Sequence, residues 1–160
     1  MENQTVNKFQ TAGRIKVVNG SILNPQDGGL RFILNVANLS GKTDGPMYNI
    51  FYKKWPKVKA EVRGWYATKT GDYKVGALHT FAVQSDVWVI SMLVQNADQT
   101  TDLVGLEKCL KDICKQAKYE KASVAISNVL TEAIPELTEM VQKQLVNQGV
   151  SVAFYTEPTV

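Results

Sequence analysis

Histidine and cysteine are scarce in this chain: His79 stands alone among 160 residues, and Cys109 and Cys114 are the two thiols. One imidazole excludes a metal centre built on several histidines. The cysteines lie five positions apart in one expected helix, where their side chains diverge by more than a quarter turn and cannot join as a disulfide. They read as small apolar helix residues of a protein in a reducing compartment. No apolar run approaches the roughly eighteen residues that a membrane-spanning helix needs, and no signal-like apolar segment follows Met1. The expected location is the cytosol, with no membrane partner. Internal repeats and low-complexity tracts are lacking too. Glycine is missing from "ISNVLTEAIPEL", residues 126–137, where a ligand-gripping loop would be sought.

What is present is the composition of an ordinary globular protein, 44% apolar and 21% charged. The length suits one domain. The polar opening "MENQTVNKFQTA" (1–12) reads as a frayed end and 13–160 as the folded unit. Net charge is +3, unevenly spread: residues 1–80 carry 12 Lys/Arg and 5 Asp/Glu, residues 81–160 carry 6 and 10. Much of the excess sits in "KKWPKVKAEVR" (53–63), a basic run with an aromatic that raises nucleic acid as a partner. The plainer reading is the solvated side of a surface helix, which argues against that partner.

Six short apolar or β-branched runs read as strands: 13–18, 30–38, 77–84, 87–95, 122–128 and 150–155. "QSD" (84–86) is too short for a helical crossover, so the strands flanking it should pair antiparallel and make the sheet mixed. Met47, Ile50, Phe51, Val58, Val62, Trp65 and Tyr66 recur at helical spacing, with Pro56 starting a second helix after a break. Leu103, Leu106, Leu110, Ile113, Cys114 and Ala117 form a cleaner stripe capped by Asp102. A last helix opens at Pro135, runs through Leu137, Met140, Val141 and Leu145, and closes near Gly149. Together these predict an α/β fold, a three-layer α/β/α sandwich around a mixed sheet of about six strands.

In such sheets ligands bind beyond the carboxyl ends of the strands, where helix N-termini offer unpaired N–H groups. Two strand-to-helix connections qualify, "NLSGKTDGPM" (38–47) and "SNVLTEAIPEL" (127–137), and both should open on one edge. In the first, Gly41 and Gly45 could let backbone amides approach a diphosphate. Catalytic groups are few. His79 falls inside a strand, remote from either loop, so a serine or cysteine nucleophile has no base. Asn38, Asp44 and Glu132 are the candidate orienting and acid/base residues.

In order and spacing these segments resemble a macrodomain, of the branch related to ADP-ribose 1''-phosphate phosphatases and small ADP-ribosyl hydrolases. "RIKVVNGSI" (14–22) resembles the opening strand and its Gly-Asp-Ile motif, and "ILNVANLSGKTDGPMYNIFYKKWP" (33–56) the Asn-bearing strand, glycine loop and aromatic-Pro pair. "VWVISMLVQ" (87–95) is similar to the strand ending in Gln, and residues 103–127 to the penultimate helix and strand. The likeness spans nearly the whole chain, through the order of several weak motifs. It implies Ser21 and Ile22 beside adenine, Asn38 beside the distal ribose, and Gly41, Thr43, Asp44, Gly45 and Met47 along the diphosphate and ribose. Asn128, Val129, Leu130, Thr131 and Glu132 would face the phosphates, and Tyr155 or Phe154 would stack on the base. No cofactor or metal is implied.

Three departures bear on activity. The family's aspartate that accepts from the adenine amino group is Ser21, which removes a charged acceptor. The three-glycine turn has become Asp44-Gly45-Pro46, which sets a carboxylate near the phosphate path and deletes a donor at Pro46. The second loop has become "NVLTEAI", whose bulky residues resist the torsions of an anion nest. The expectation is a module that binds ADP-ribose or a related nucleotide without efficient turnover. The alternatives are a phosphatase or ADP-ribosyl hydrolase, in which Asn38 orients substrate and Asp44 or Glu132 activates water, and nucleic-acid binding through the basic helix.

Overall fold

In the computed structural model of the protein, the described residues are 12–25, 28–68 and 71–156. The polar opening therefore lies outside them except for Ala12. Six strands form one sheet: β1 Ile15–Asn19, β2 Arg31–Asn38, β3 Leu78–Gln84, β4 Val87–Gln95, β5 Ser123–Ser127 and β6 Val152–Thr156. Their order is β1-β6-β5-β2-β4-β3. All neighbours run parallel except β3, which returns antiparallel on β4 through the tight turn at 85–86. The sheet is mixed, as the shortness of "QSD" requires. β1 and β3 are the edges, and β2, between β5 and β4, is buried along its whole length, as expected for a parallel strand covered on both faces.

Helices cover both faces. On one side α2 (Leu103–Glu120), α3 (Asn128–Ala133) and α4 (Leu137–Gln144) bury Leu106, Leu110, Ile113, Leu130, Leu137 and Val141 against Phe32, Leu34, Ile90 and Met92. On the other, α1 (Pro56–Thr68) sets Val58, Val62 and Trp65 over Ile33, Ala37, Val89 and Leu93. Asp102 accepts from the Gly105 amide at 2.7 Å and starts α2. Lys121 ends that helix in the left-handed region. Both cysteines are free and buried, and burial pushes the Cys109 thiol up to about 12.

Two expected elements differ. The helical spacing from Met47 onward does not produce a helix before Pro56; residues 46–54 form successive turns, with Tyr48 and Asn49 both donating to Gly45 O and Trp55 to Phe51 O. The cause lies in where the apolar residues must go. Tyr48 packs in the α2 face and Phe51 and Tyr52 in the α1 face, so the segment crosses the end of the sheet from one layer to the other. One straight helix presents a single stripe and cannot serve both layers. Pro56 then disfavours helical torsions at Trp55. Second, the connection after β5 is no open loop: α3 starts at once, with Ser127 Oγ accepting from Val129 N at 3.1 Å. The Ser127 cap sets a helical turn where glycine would have kept the chain irregular.

Two helical glycines make opposite demands. A Cβ on Gly105 would come within 2.5 Å of Val75 Cγ1, whereas one on Gly64 meets nothing within 4 Å. Gly64→Ala should therefore stabilise the protein by about 0.5–1 kcal/mol, and Gly105→Ala should destabilise it by about 1–3 kcal/mol through overpacking. Urea titrations of the two variants decide it; equal signs would contradict this packing.

Candidate functional site

The carboxyl ends of β1, β2, β5 and β6 share one rim, because these strands are parallel. The two connections named from sequence, 38–47 and 127–137, both leave from it. At its centre stands Asn38, the last residue of β2, fully buried. Its partner register with β4 slips by one residue, so that Ala37 faces Leu93 but Asn38 faces Gln95, with Val94 left as the extra residue of a bulge. The bulge turns Gln95 to the same face as Asn38, where an unbroken strand would have pointed it to the opposite layer.

A hydrogen-bonded chain follows from that pairing. Asn38 Nδ2 donates to Tyr48 Oη at 3.1 Å and to Asn96 O at 2.9 Å. Its Oδ1 accepts from Ser40 N at 2.8 Å and from Ser40 Oγ at 2.6 Å. Tyr48 Oη donates to Gln95 Oε1 at 2.9 Å, and Gln95 Nε2 donates to Thr101 Oγ1 at 2.5 Å. A primary amide offers two donors and two acceptor positions, and all four of Asn38 are used. Tyr73 Oη also donates to the Asn38 carbonyl. Asn38 thus ties four segments together, and its amide has no capacity left for a sugar hydroxyl or a water.

The other candidates fall into two groups. Ile22, Leu130 and Tyr155 are buried in the core. Tyr155, one of the two candidates for stacking on a base, is 1% exposed and sits with Ile22 and Ala153 in the α1 layer. Its neighbour Phe154 is half-buried against the α2 layer. The side chains alternate as a strand requires, and each packs against its own layer. Ser21, Gly41, Thr43, Gly45, Met47, Asn128, Val129 and Thr131 are partly accessible, and Asp44 and Glu132 are exposed. Ser21 Oγ accepts from Leu23 N at 3.1 Å and shapes the turn after β1. Gly41, at φ +80°, lets the ring of Tyr66 pack where a Cβ would stand, 2.7 Å from Tyr66 Cγ. That close approach accounts for the glycine without any ligand.

The two carboxylates stand in water. The Asp44 side chain is 87% exposed with Lys42 Nζ at 3.9 Å, and Glu132 accepts from Asn128 Nδ2 at 3.4 Å. Both are open to solvent rather than enclosed by the rim. The one imidazole lies elsewhere: His79 Nε2 meets Glu61 Oε1 at 2.8 Å, and its ring stacks on Trp65. This pair lines a cavity of about 580 Å³ between α1 and β3. No group of three or more His, Cys, Asp or Glu is placed to hold a metal among the described residues. No helix among them is long and apolar enough to cross a membrane.

The basic run proves partly structural. Lys54 Nζ donates to Leu23 O and to Asn24 Oδ1 and lies 5.1 Å from the Trp55 ring, so it stitches the turn after β1 to the start of α1. Sequence reasoning missed Tyr48, Ser40 and Thr101. The available signal was a pair of neighbouring apolar strands ending in Asn38 and Gln95, amides that need partners once buried.

No protein-family model and no curated protein matches the chain. Solved structures do. A macrodomain protein from Streptomyces coelicolor superimposes with a TM-score of 0.80 at 22% identity, covering 89% of this chain and 98% of that one. The DarG macrodomain of Thermus aquaticus gives 0.69 at 17% identity over 91% and 99%. Thermosipho africanus DarTG, solved in complex with ADP-ribose, gives 0.65 at 14% identity over 79% and 38%. The chain has the macrodomain fold.

Tyr48→Phe should cost about 2–4 kcal/mol in urea denaturation with unchanged slope, since it leaves buried groups of Asn38 and Gln95 unpaired. Burial raises Tyr48, Tyr52 and Tyr73 above the usual phenolic range. The unfolded chain therefore loses these protons first, and stability should fall as pH climbs above about 10. The Phe variant should show a shallower alkaline loss; an identical pH profile would refute the buried position of Tyr48.

Proposed function

We propose that the protein binds ADP-ribose or a closely related nucleotide at the carboxyl rim of its sheet and holds it without efficient turnover. The reading rests first on the fold it shares with Thermosipho africanus DarTG, which has been seen with that ligand. Ser21, the 41–47 segment and the start of α3 border the same rim and are the residues through which contact would be made.

The observation that carries the second half of the proposal is the saturated amide of Asn38. Turnover of a ribose-linked group needs a residue that orients substrate or water more strongly in the transition state than in the ground state. Asn38 would have to break its own bonds to act, at a cost of about 1–3 kcal/mol for each buried group left unpaired. Asp44 and Glu132, exposed and held only loosely by Lys42 at 3.9 Å and Asn128 at 3.4 Å, do not replace it. Their negative charge also disfavours a free terminal phosphate on the distal ribose. Sequestration of a nucleotide is the use that fits such a site.

Titration calorimetry should give a dissociation constant of about micromolar order for ADP-ribose, about −8 kcal/mol, and weaker binding of ADP-ribose 1''-phosphate. Chromatography of the incubated 1''-phosphate should show no product at catalytic protein levels. Absence of heat with ADP-ribose removes the binding reading. Product formation removes the claim that the ligand is only held, and restores the phosphatase alternative.

A further inference from the structure

The second half of the sequence is acidic overall, yet its positive charge is concentrated in one place. Of the six basic residues between 81 and 160, four are Lys108, Lys111, Lys115 and Lys118, and a fifth, Lys121, caps the same helix. The spacing of three, four and three sets the four on one side of α2, along about 15 Å of helix. They line a groove of about 510 Å³ between α2 and the end of α4 with the segment that follows it, where Gln144 and Gln148 form the facing wall. This face is remote from α1, which packs on the opposite side of the sheet.

Part of the charge is neutralised. Lys108 Nζ lies 2.9 Å from Asp112 and Lys111 Nζ 3.4 Å from Glu107, pairs that water screens at the surface. Lys115 and Lys118 have no carboxylate partner among the described residues. Helix-dipole compensation accounts for a cation in the last turn but not for a row reaching back to its second turn. Tyr119 follows Lys118 and stands one turn beyond Lys115. It is 85% exposed, an unusual setting for so large a ring in the absence of a partner.

We propose that this face of α2 binds single-stranded nucleic acid, with the lysine row following the phosphate backbone and Tyr119 stacking on a base. A cationic groove beside an exposed aromatic is the arrangement that sequence-tolerant single-strand binders use. The ring also favours nucleic acid over an acidic peptide, which would use the lysines alone. The site is independent of the nucleotide rim.

Fluorescence anisotropy with a labelled oligouridylate and the matching oligodeoxythymidylate tests it. At about 50 mM salt the wild type should bind either strand, and log K should fall against log salt with a slope of about −1.4 to −2.8, two to four phosphates at about 0.7 each. The double variant K115E/K118E should weaken binding at least tenfold while its melting temperature and ADP-ribose response stay as in the wild type. K57E/K59E, on the other face, should stay within twofold. Tyr119→Ala should lose about fivefold or more with the salt slope unchanged, the mark of stacking rather than charge. The proposal is overturned by absence of binding at low salt, by K115E/K118E within twofold of wild type, or by poly-glutamate of equal charge competing as well as the oligonucleotide.

Discussion

The rim of this molecule is organised by a single amide. Asn38 ends the most buried strand of the sheet, and once its side chain is removed from water every one of its hydrogen-bonding positions must find a partner inside the protein. The turn at Ser40, the carbonyl of Asn96, the phenol of Tyr48 and, through it, the amide of Gln95 supply them. The bulge at Val94 exists in the register that brings Gln95 round to this face. The crossing segment 46–54 has to present Tyr48 inward, and that demand explains why its apolar residues divide between two layers instead of forming one helical stripe. Local geometry over some twenty residues thus follows from the satisfaction of one buried polar group.

The same constraint shapes what the site can do. A side chain that is fully paired within the protein is a rigid structural element, and rigidity at that point is bought with the loss of a group free to orient a reacting atom. Gly41 tells a parallel story, since the space beside it belongs to the Tyr66 ring. After β5, an irregular cradle has given way to α3, whose first turn is capped by Ser127. Each of the three places where chemistry would be sought has been turned toward holding the fold. A rim built this way can still offer surface and shape to a nucleotide, while its polar groups are largely committed to one another.

Much of this architecture was legible in the sequence. Strand positions followed from apolar runs bounded by turn residues, the antiparallel β3–β4 pairing from the shortness of "QSD", and the start of α2 from Asp102. These are local signals with local causes. The helix after β5 had a local cause, the Ser127 cap, whereas the other surprises involve partners distant in sequence. Met47, Ile50 and Phe51 have helical spacing, and only the layered packing shows that they serve opposite faces. Tyr155 alternates with Phe154 as a strand must, but that the α1 layer closes over Tyr155 depends on residues some ninety positions earlier. The network around Asn38 joins residues 38, 48, 95 and 101, and a chain read in order gives no sign that Tyr48 Oη will reach both of the strand-end amides.

The most direct test of the claim that Asn38 is structurally committed is a magnetic-resonance titration of the labelled protein with ADP-ribose, following side-chain as well as backbone amides. The account predicts that backbone signals of residues 41–47 and 128–131 shift with ligand, while the Asn38 side-chain NH₂ signals stay in place and remain slow to exchange with solvent. Movement or rapid exchange of the Asn38 NH₂ on titration would contradict it, because the amide would then be leaving Tyr48 and Asn96 to engage the ligand.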